Sequence, residues 1–292
     1  MKKVVILILL LIVVGAVLGR GQIEDFYQRF FGTLPKIEKA VEDKIQEVKK
    51  EVNAPPPLQA KDESPQAFLT TEGVIKFTNI QREKNGLPLI AENSLLDGSA
   101  QKKVQDMFAK QYFEHISPQG LDVSDLAEDA GYKFIEIGEN LALGNFLNDE
   151  ALVQAWMDSP GHRENILNSN YREIGVAVLK GTYQGKTTWM AVQHFGRPLS
   201  DCPQIDTTLK QQIENNKVLL DRMITELDAK KKELEQTNRK DSEYNQKVNE
   251  YNKLAEEYNK LAQETKQLLE DYNNQINNFN KCVLYSLAEH PA

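Results

Sequence analysis

Basic charge, cysteine and histidine are all in short supply. The 292-residue chain carries 35 Lys and Arg against 43 Asp and Glu, a formal net charge of −8. No basic stripe stands out along it, which excludes a phosphate-neutralising face and removes nucleic acid from the expected partners. Two cysteines, Cys202 and Cys282, permit one bridge at most. No cysteine lies near the end of the N-terminal apolar run, so a bacterial lipid anchor is not expected there. Of the four histidines three fall in the middle of the chain, at His115, His162 and His194, together with both tryptophans.

What is there begins with a membrane-targeting signal. Lys2 and Lys3 precede an apolar run from Val4 to Leu18, and the run has no polar face, which argues against a core helix of a soluble domain. At about 1.5 Å per residue the run makes roughly 24 Å of helix, short of a bilayer core of about 30 Å unless Phe26, Tyr27, Phe30 and Phe31 extend it as an interfacial belt. Val17-Leu18-Gly19 is a poor cleavage site, which favours an uncleaved anchor at 1–19; a cleaved signal peptide is the alternative. Either way the lysines keep the N-terminus inside, and the rest of the chain is expected to be extracytoplasmic, single-pass anchored or secreted.

Ile37, Val41, Ile45, Val48 and Val52 recur at helical spacing among Lys and Glu, the pattern of an amphipathic stalk. Asn53-Ala54-Pro55-Pro56-Pro57 ends it, and polar residues to Pro65 complete a stiff and then flexible spacer, so that 20–65 reads as distance without chemistry. The segment 66–200 has the variety of a domain. Helices are predicted at Phe68–Lys84, Leu95–Lys110, Val123–Ala130 and Asp149–Met157, and two alternating strands at Glu173–Lys180 and Lys186–Phe195 are joined through Gly181–Gly185. Helices on both sides of a small antiparallel sheet give an α+β fold. Trp156, Tyr112, Tyr132, Phe134 and Trp189 are expected in its core.

The tail, 201–292, is different in kind. From Tyr244 it falls into six successive sevens, with a seam through Tyr244, Val248, Tyr251, Ala255, Tyr258, Ala262, Thr265, Leu269, Tyr272, Ile276, Phe279 and Val283. Leu209, Ile213, Leu220, Met223, Leu227 and Leu234 fit an earlier seam that Asn216 and Lys230 interrupt. These are two helices of an antiparallel coiled-coil hairpin broken near Asn238–Asp241. The midpoint between Cys202 and Cys282 falls at that break, so an intramolecular disulfide is expected to close the hairpin base. In the loop-entropy model such a closure stabilises by about 4 kcal/mol. A bridge between two parallel chains and a pair of free thiols are the alternatives. The flanking stripe Leu254, Leu261 and Leu268 offers a surface for homo-oligomerisation or a helical partner.

Five short patterns stand in order: YFEHISPQG at Tyr112–Gly120, GENLALG at Gly138–Gly144, AWMDSPGHRENIL at Ala155–Leu167, YREIGVAV at Tyr171–Val178 and AVQHFGRP at Ala191–Pro198. With FTNIQREKNGLPLI near the start, they make Ala67–Pro198 resemble the CAP superfamily (SCP-like extracellular domain; cysteine-rich secretory proteins, antigen 5, pathogenesis-related 1), in its bacterial subgroup. The resemblance implies an α-β-α sandwich with a central antiparallel sheet and a cleft lined by two histidines and two acids. His115, Glu139 and His162 match three of these positions. The fourth departs, because the nearest acid after Trp156 is Asp158, one methylene shorter than the usual glutamate.

Two imidazoles and a carboxylate with open positions are also the donor set of a divalent-metal site, zinc among the candidates, with His194 a further ligand or gate residue. Ser159 as N-cap and Pro160 as first helical residue would place His162 in a first turn, where the helix dipole disfavours imidazolium. With Glu139 as base and His115 as acid the site would be a metal-assisted hydrolase of peptide or envelope polymer. No convincing nucleophile accompanies it, Ser117 and Ser159 reading as turn or cap residues. The expected function is therefore a membrane-tethered or secreted module binding a lipid, peptide or envelope ligand, with the hydrolase and a structural scaffold as alternatives.

Overall fold

The computed structural model describes residues 52–61 and 63–288, so the apolar run and the stalk ahead of Val52 lie outside the described residues. Among the described residues no helix is long and apolar enough to cross a membrane. They form two compact units, one of residues 52–202 with 281–288 and one of 203–280.

In the first unit the helices begin where side chains can satisfy free backbone amides. Thr70 caps α1 (Thr71–Lys84) by accepting from Gly73 N, Asn93 caps α2 (Ser94–Lys110), and Asp122 forms a capping box at α3 (Val123–Asp129). Asn148 caps α4 (Asp149–Asp158), and α5 (Pro160–Leu167) opens on its proline. The cap at Thr70 is why α1 starts there and leaves Phe68, 66% exposed, outside.

Strands β1 (Val52–Asn53), β2 (Leu58–Gln59), β3 (Ala91–Glu92), β4 (Phe134–Leu143), β5 (Glu173–Tyr183) and β6 (Lys186–Pro198) make one sheet in the order β1-β4-β6-β5-β3, β2 also pairing with β4. Its centre is antiparallel as expected, but the short outer strands β1, β2 and β3 pair in parallel, so the sheet is mixed. The β5–β6 hairpin turns on two residues, Gln184 and Gly185, both at positive φ. The expected loop at Gly181 is ladder instead, Gly181 pairing with Thr188.

Alternation along the ladder divides the residues between two layers. Leu141, Ala177, Met190 and Val192 pack against Ala100, Val104 and Met107 of α2. On the other face Ala142, Ala191 and Phe195 meet Val74 of α1, Trp156 of α4 and Ile166 of α5. Trp156, Tyr132 and Phe134 are core as expected, whereas Tyr112 and Trp189 are half-buried. Gly175 lets α2 approach β5 closely, since a Cβ there would lie 2.0 Å from the Leu96 carbonyl carbon.

The second unit is an antiparallel helix pair, α6 (Thr207–Gln236) and α7 (Tyr244–Ala288), the latter running on past this unit. Asp206 pairs with Gln275, Asn216 with Thr265 and Lys230 with Glu250, numbers that run in opposite directions. Ile213, Leu220, Tyr258, Leu269, Tyr272 and Ile276 form the buried seam. Cys202 and Cys282 are disulfide-bonded within the chain, with Cα atoms 5.7 Å apart.

Candidate ligand-binding site

The site grows from one cross-strand pair. In the β4–β6 register Glu139 stands opposite His194 and Asn140 opposite Gln193, so the two pairs project to opposite faces. His194 Nε2 lies 2.8 Å from Glu139 Oε2, and both side chains are fully buried. His115, in the loop after α2, brings Nδ1 to 2.6 Å from Glu139 Oε1. The carboxylate is thus held by an imidazole on each oxygen.

Burial works against the charge on Glu139, but the hydrogen bonds from His115 and His194, with the charges of His194 and Lys103, outweigh it and hold its pKa down at about 2. Ser99 supports the far side: its Oγ donates to Leu96 O at 2.9 Å and meets His194 Nδ1 at 2.6 Å. Lys103, also buried, donates to the His115 carbonyl at 2.5 Å and so fixes the loop that carries the imidazole. Burial lowers the Lys103 pKa, the Glu139 carboxylate opposing it.

The opposite face carries an amide network. Asn140 Nδ2 donates to the His162 carbonyl and to Gln193 Oε1, both at 3.1 Å. Asn165 Nδ2 donates to Asn140 Oδ1 at 3.0 Å and to the Glu139 carbonyl at 3.3 Å. Gln193 Nε2 donates to Thr78 Oγ1 at 2.7 Å, tying β6 to α1. These bonds seat the start of α5, and His162 with it, against β4.

His162 is 1% exposed, and among the described residues its Nε2 has no hydrogen-bond partner. Ser159 occupies the N-cap position, yet its hydroxyl makes no cap; it meets His162 Nδ1 at 2.8 Å instead. Burial, with the nearby His115 adding to it, lowers the His162 pKa to about 4, so the imidazole is neutral at pH 7.

The remaining member of the site comes from the segment read as a spacer. Pro55 O accepts from His115 Nε2 at 2.5 Å. Since a carbonyl only accepts, His115 Nε2 is the donor to Pro55. The Pro55 ring rests on the first turn of α5, where a Cβ on Gly161 would lie 2.7 Å from Pro55 Cβ.

Of the residues expected from sequence, His115 and Glu139 are in direct contact, and His162 lies near enough to His115 to feel its charge without touching Glu139. His194 joins as a direct partner of Glu139. Asp158 does not: it is exposed at the end of α4, where it accepts from Gln154 Nε2 at 2.8 Å. Among the described residues no group of three or more His, Cys, Asp or Glu has a geometry able to hold a metal. Both Glu139 oxygens face imidazoles and His115 Nε2 faces Pro55, so the residues as folded do not fit a three-ligand centre. A separate cavity of about 590 Å³, walled by Leu58, Lys61, Phe146, Ala155 and Ser159, lies apart from Glu139 and touches this cluster only through Ser159.

The model of the cysteine-rich secretory protein family, CAP, matches residues 75–195. The uncharacterized protein YkwD of Bacillus subtilis (strain 168) is 41% identical over 107 residues, covering 37% of this chain and 41% of that protein. The uncharacterized membrane protein YlbC of the same organism is 32% identical over 129 residues, covering 44% of this chain and 37% of that protein. The match therefore spans about two fifths of the length of each relative. Among solved structures, an extracellular SCP-domain protein from Bacillus anthracis str. Ames is 31% identical, with a TM-score of 0.38, over 44% of this chain and 40% of that one. An outer surface protein from Borrelia burgdorferi gives a TM-score of 0.39 at 21% identity, over 44% of this chain and 91% of that one.

Proposed function

The chain is a bacterial member of the CAP superfamily, and from that premise we propose that it is an extracytoplasmic binding module whose cleft recognises a carbonyl-bearing envelope ligand through His115. The observation that carries this reading is the His115 Nε2 contact to a backbone carbonyl, with the imidazole braced from behind by Glu139. A donor braced in this way needs no rearrangement of its own once a ligand oxygen takes the place of the Pro55 carbonyl.

The same geometry argues against hydrolysis. A general base works best with a pKa near the operating pH, and Glu139 at about 2 is far too weak. His162 at about 4 is likewise a poor base for Ser159, the one hydroxyl beside it. The N-terminal signal and the membrane-protein name of one Bacillus subtilis relative support placing the domain outside the cell and tethered. The heptad seam supports reading α6 and α7 as a coiled-coil hairpin that displays the domain or joins copies of it.

The test presents a quenched fluorogenic peptide library and labelled envelope polymer to the full chain, measuring retention and turnover together. Retention that His115→Ala removes, without turnover, is expected. Turnover that Glu139→Gln abolishes would overturn the binding reading.

A further inference from the structure

We propose that the edge of β4 is a groove for an extended, proline-containing peptide lying parallel to the strand, and that residues 52–60 of the chain occupy it in cis. This rests on the binding reading above and names the ligand class for the same site.

Two stretches of the segment form regular parallel ladder. Val52 and Asn53 pair with Ile137 and Gly138, and Leu58 and Gln59 with Ala142 and Leu143. The offset between partners is 85 at the first pair and 84 at the second, so one extra residue bulges out opposite Glu139–Leu141. Pro55, Pro56 and Pro57 fill that bulge. Prolines carry no N–H, so a strand leaving the ladder there strands no amide donor. What the bulge presents instead is an acceptor, the Pro55 carbonyl, which His115 Nε2 takes at 2.5 Å.

Side chains from two further places read the same segment, and a glycine makes room for it. Asn165 Nδ2, on α5, donates to Asn53 O at 3.0 Å. Asn53 Nδ2 reaches Tyr171 Oη, in the loop before β5, at 3.4 Å. Gly161 leaves the space in which the Pro55 ring sits, and Ala60 N closes the far end on Leu143 O at 2.9 Å. Asn165 is itself 2% exposed and bonded to Asn140, so it is a built contact. The recognition element is an asparagine followed two residues later by a proline whose carbonyl stands outside the ladder and is taken by His115. Strand addition supplies the affinity and these pockets supply the selection.

A tethered occupant competes at an effective concentration on the order of millimolar, so a free peptide of the same kind sees a largely filled groove. The probe is the labelled peptide VNAPPPLQAK, residues 52–61, added to the full chain. With Asn53→Gly, Pro55→Ser and Pro57→Gly combined to loosen the resident segment, the peptide should bind at least tenfold tighter than to the unmodified chain. His115→Ala or Gly161→Val in that background should remove the gain. Should the combined variant fail to fold, the unmodified chain decides: saturating peptide should accelerate hydrogen exchange at the Ala60 amide. Equal affinity for both chains, or unchanged Ala60 exchange where the variant cannot be made, overturns the proposal. If envelope polymer is still retained through His115 in that case, the binding reading stands and only the peptide class falls. Cleavage of the probe would overturn both.

Discussion

Glu139 and His162 set the acid limit of the domain. An ordinary histidine titrates at 6.5, whereas His162 is held down at about 4, so the unfolded chain takes up that proton first. The stability contributed by the neutral, buried imidazole is complete above about pH 6.5 and falls away as the pH drops toward 4, by at most roughly 3 kcal/mol. Glu139, lowered from 4.5 to about 2, adds a second loss from about pH 4.5 down toward 2. Urea midpoints taken from pH 8 to pH 3 should fall in these two stages, and His162→Gln should flatten the upper one. His194→Ala should destabilise at neutral pH by about 3 kcal/mol or more, because it strips one partner from a buried carboxylate. Much of this chemistry was legible at the level of residues. His115, Glu139 and His162 lay in quoted motifs, whereas the role of His194 needed the β4–β6 register, which no single strand encodes. Asp158 misled for a complementary reason: its proximity to Trp156 in sequence does not turn its side chain toward the cleft.

Elements with a clear period could be read and elements without one could not. Helices α1 to α4 were legible as stretches, though not the Thr70 cap that starts α1 three residues after the expected Phe68, and β5 and β6 were legible from alternation. β4 was not, because nearly every residue of Phe134–Leu143 is buried and the strand between two helical layers shows no polar face. The spacer failed differently. A proline run argues for solvated extension, and nothing local marks its carbonyl as the partner of a histidine 60 residues away. The paired helices confirm that an interruption in a seam has a partner: Asn216 donates to Thr265 Oγ1 at 3.0 Å, and Thr265 in turn to Leu261 O at 2.7 Å. Asn216→Ala should lower the melting temperature of the full chain, and Thr265→Val should add little to that loss, since the two act as one contact. Gly175→Ala should cost about 3 kcal/mol or more, read from urea midpoints, because the added methyl meets the backbone of α2 and not a movable side chain.

At the scale of the molecule the chain carries a CAP domain and a helical pair, and one disulfide links residues 202 and 282 on either side of that pair in sequence. In the loop-entropy model the Cys202–Cys282 bridge stabilises by about 4 kcal/mol, and Cys202→Ser with Cys282→Ser should show a loss of that order in denaturant. The cleft should keep its His115–Glu139–His194 contacts through that change, since none of them involves residues after Cys202. Ligand recognition in this domain depends on what His115 presents. The most direct measurement is a long-range proton–nitrogen spectrum of the full chain labelled with nitrogen-15 histidine, recorded at pH 7. A hydrogen on His115 Nε2, perturbed when Asn53, Pro55 and Pro57 are substituted together, is the predicted result. A bare Nε2 on His115, indifferent to those substitutions, would contradict a cleft built to read a carbonyl.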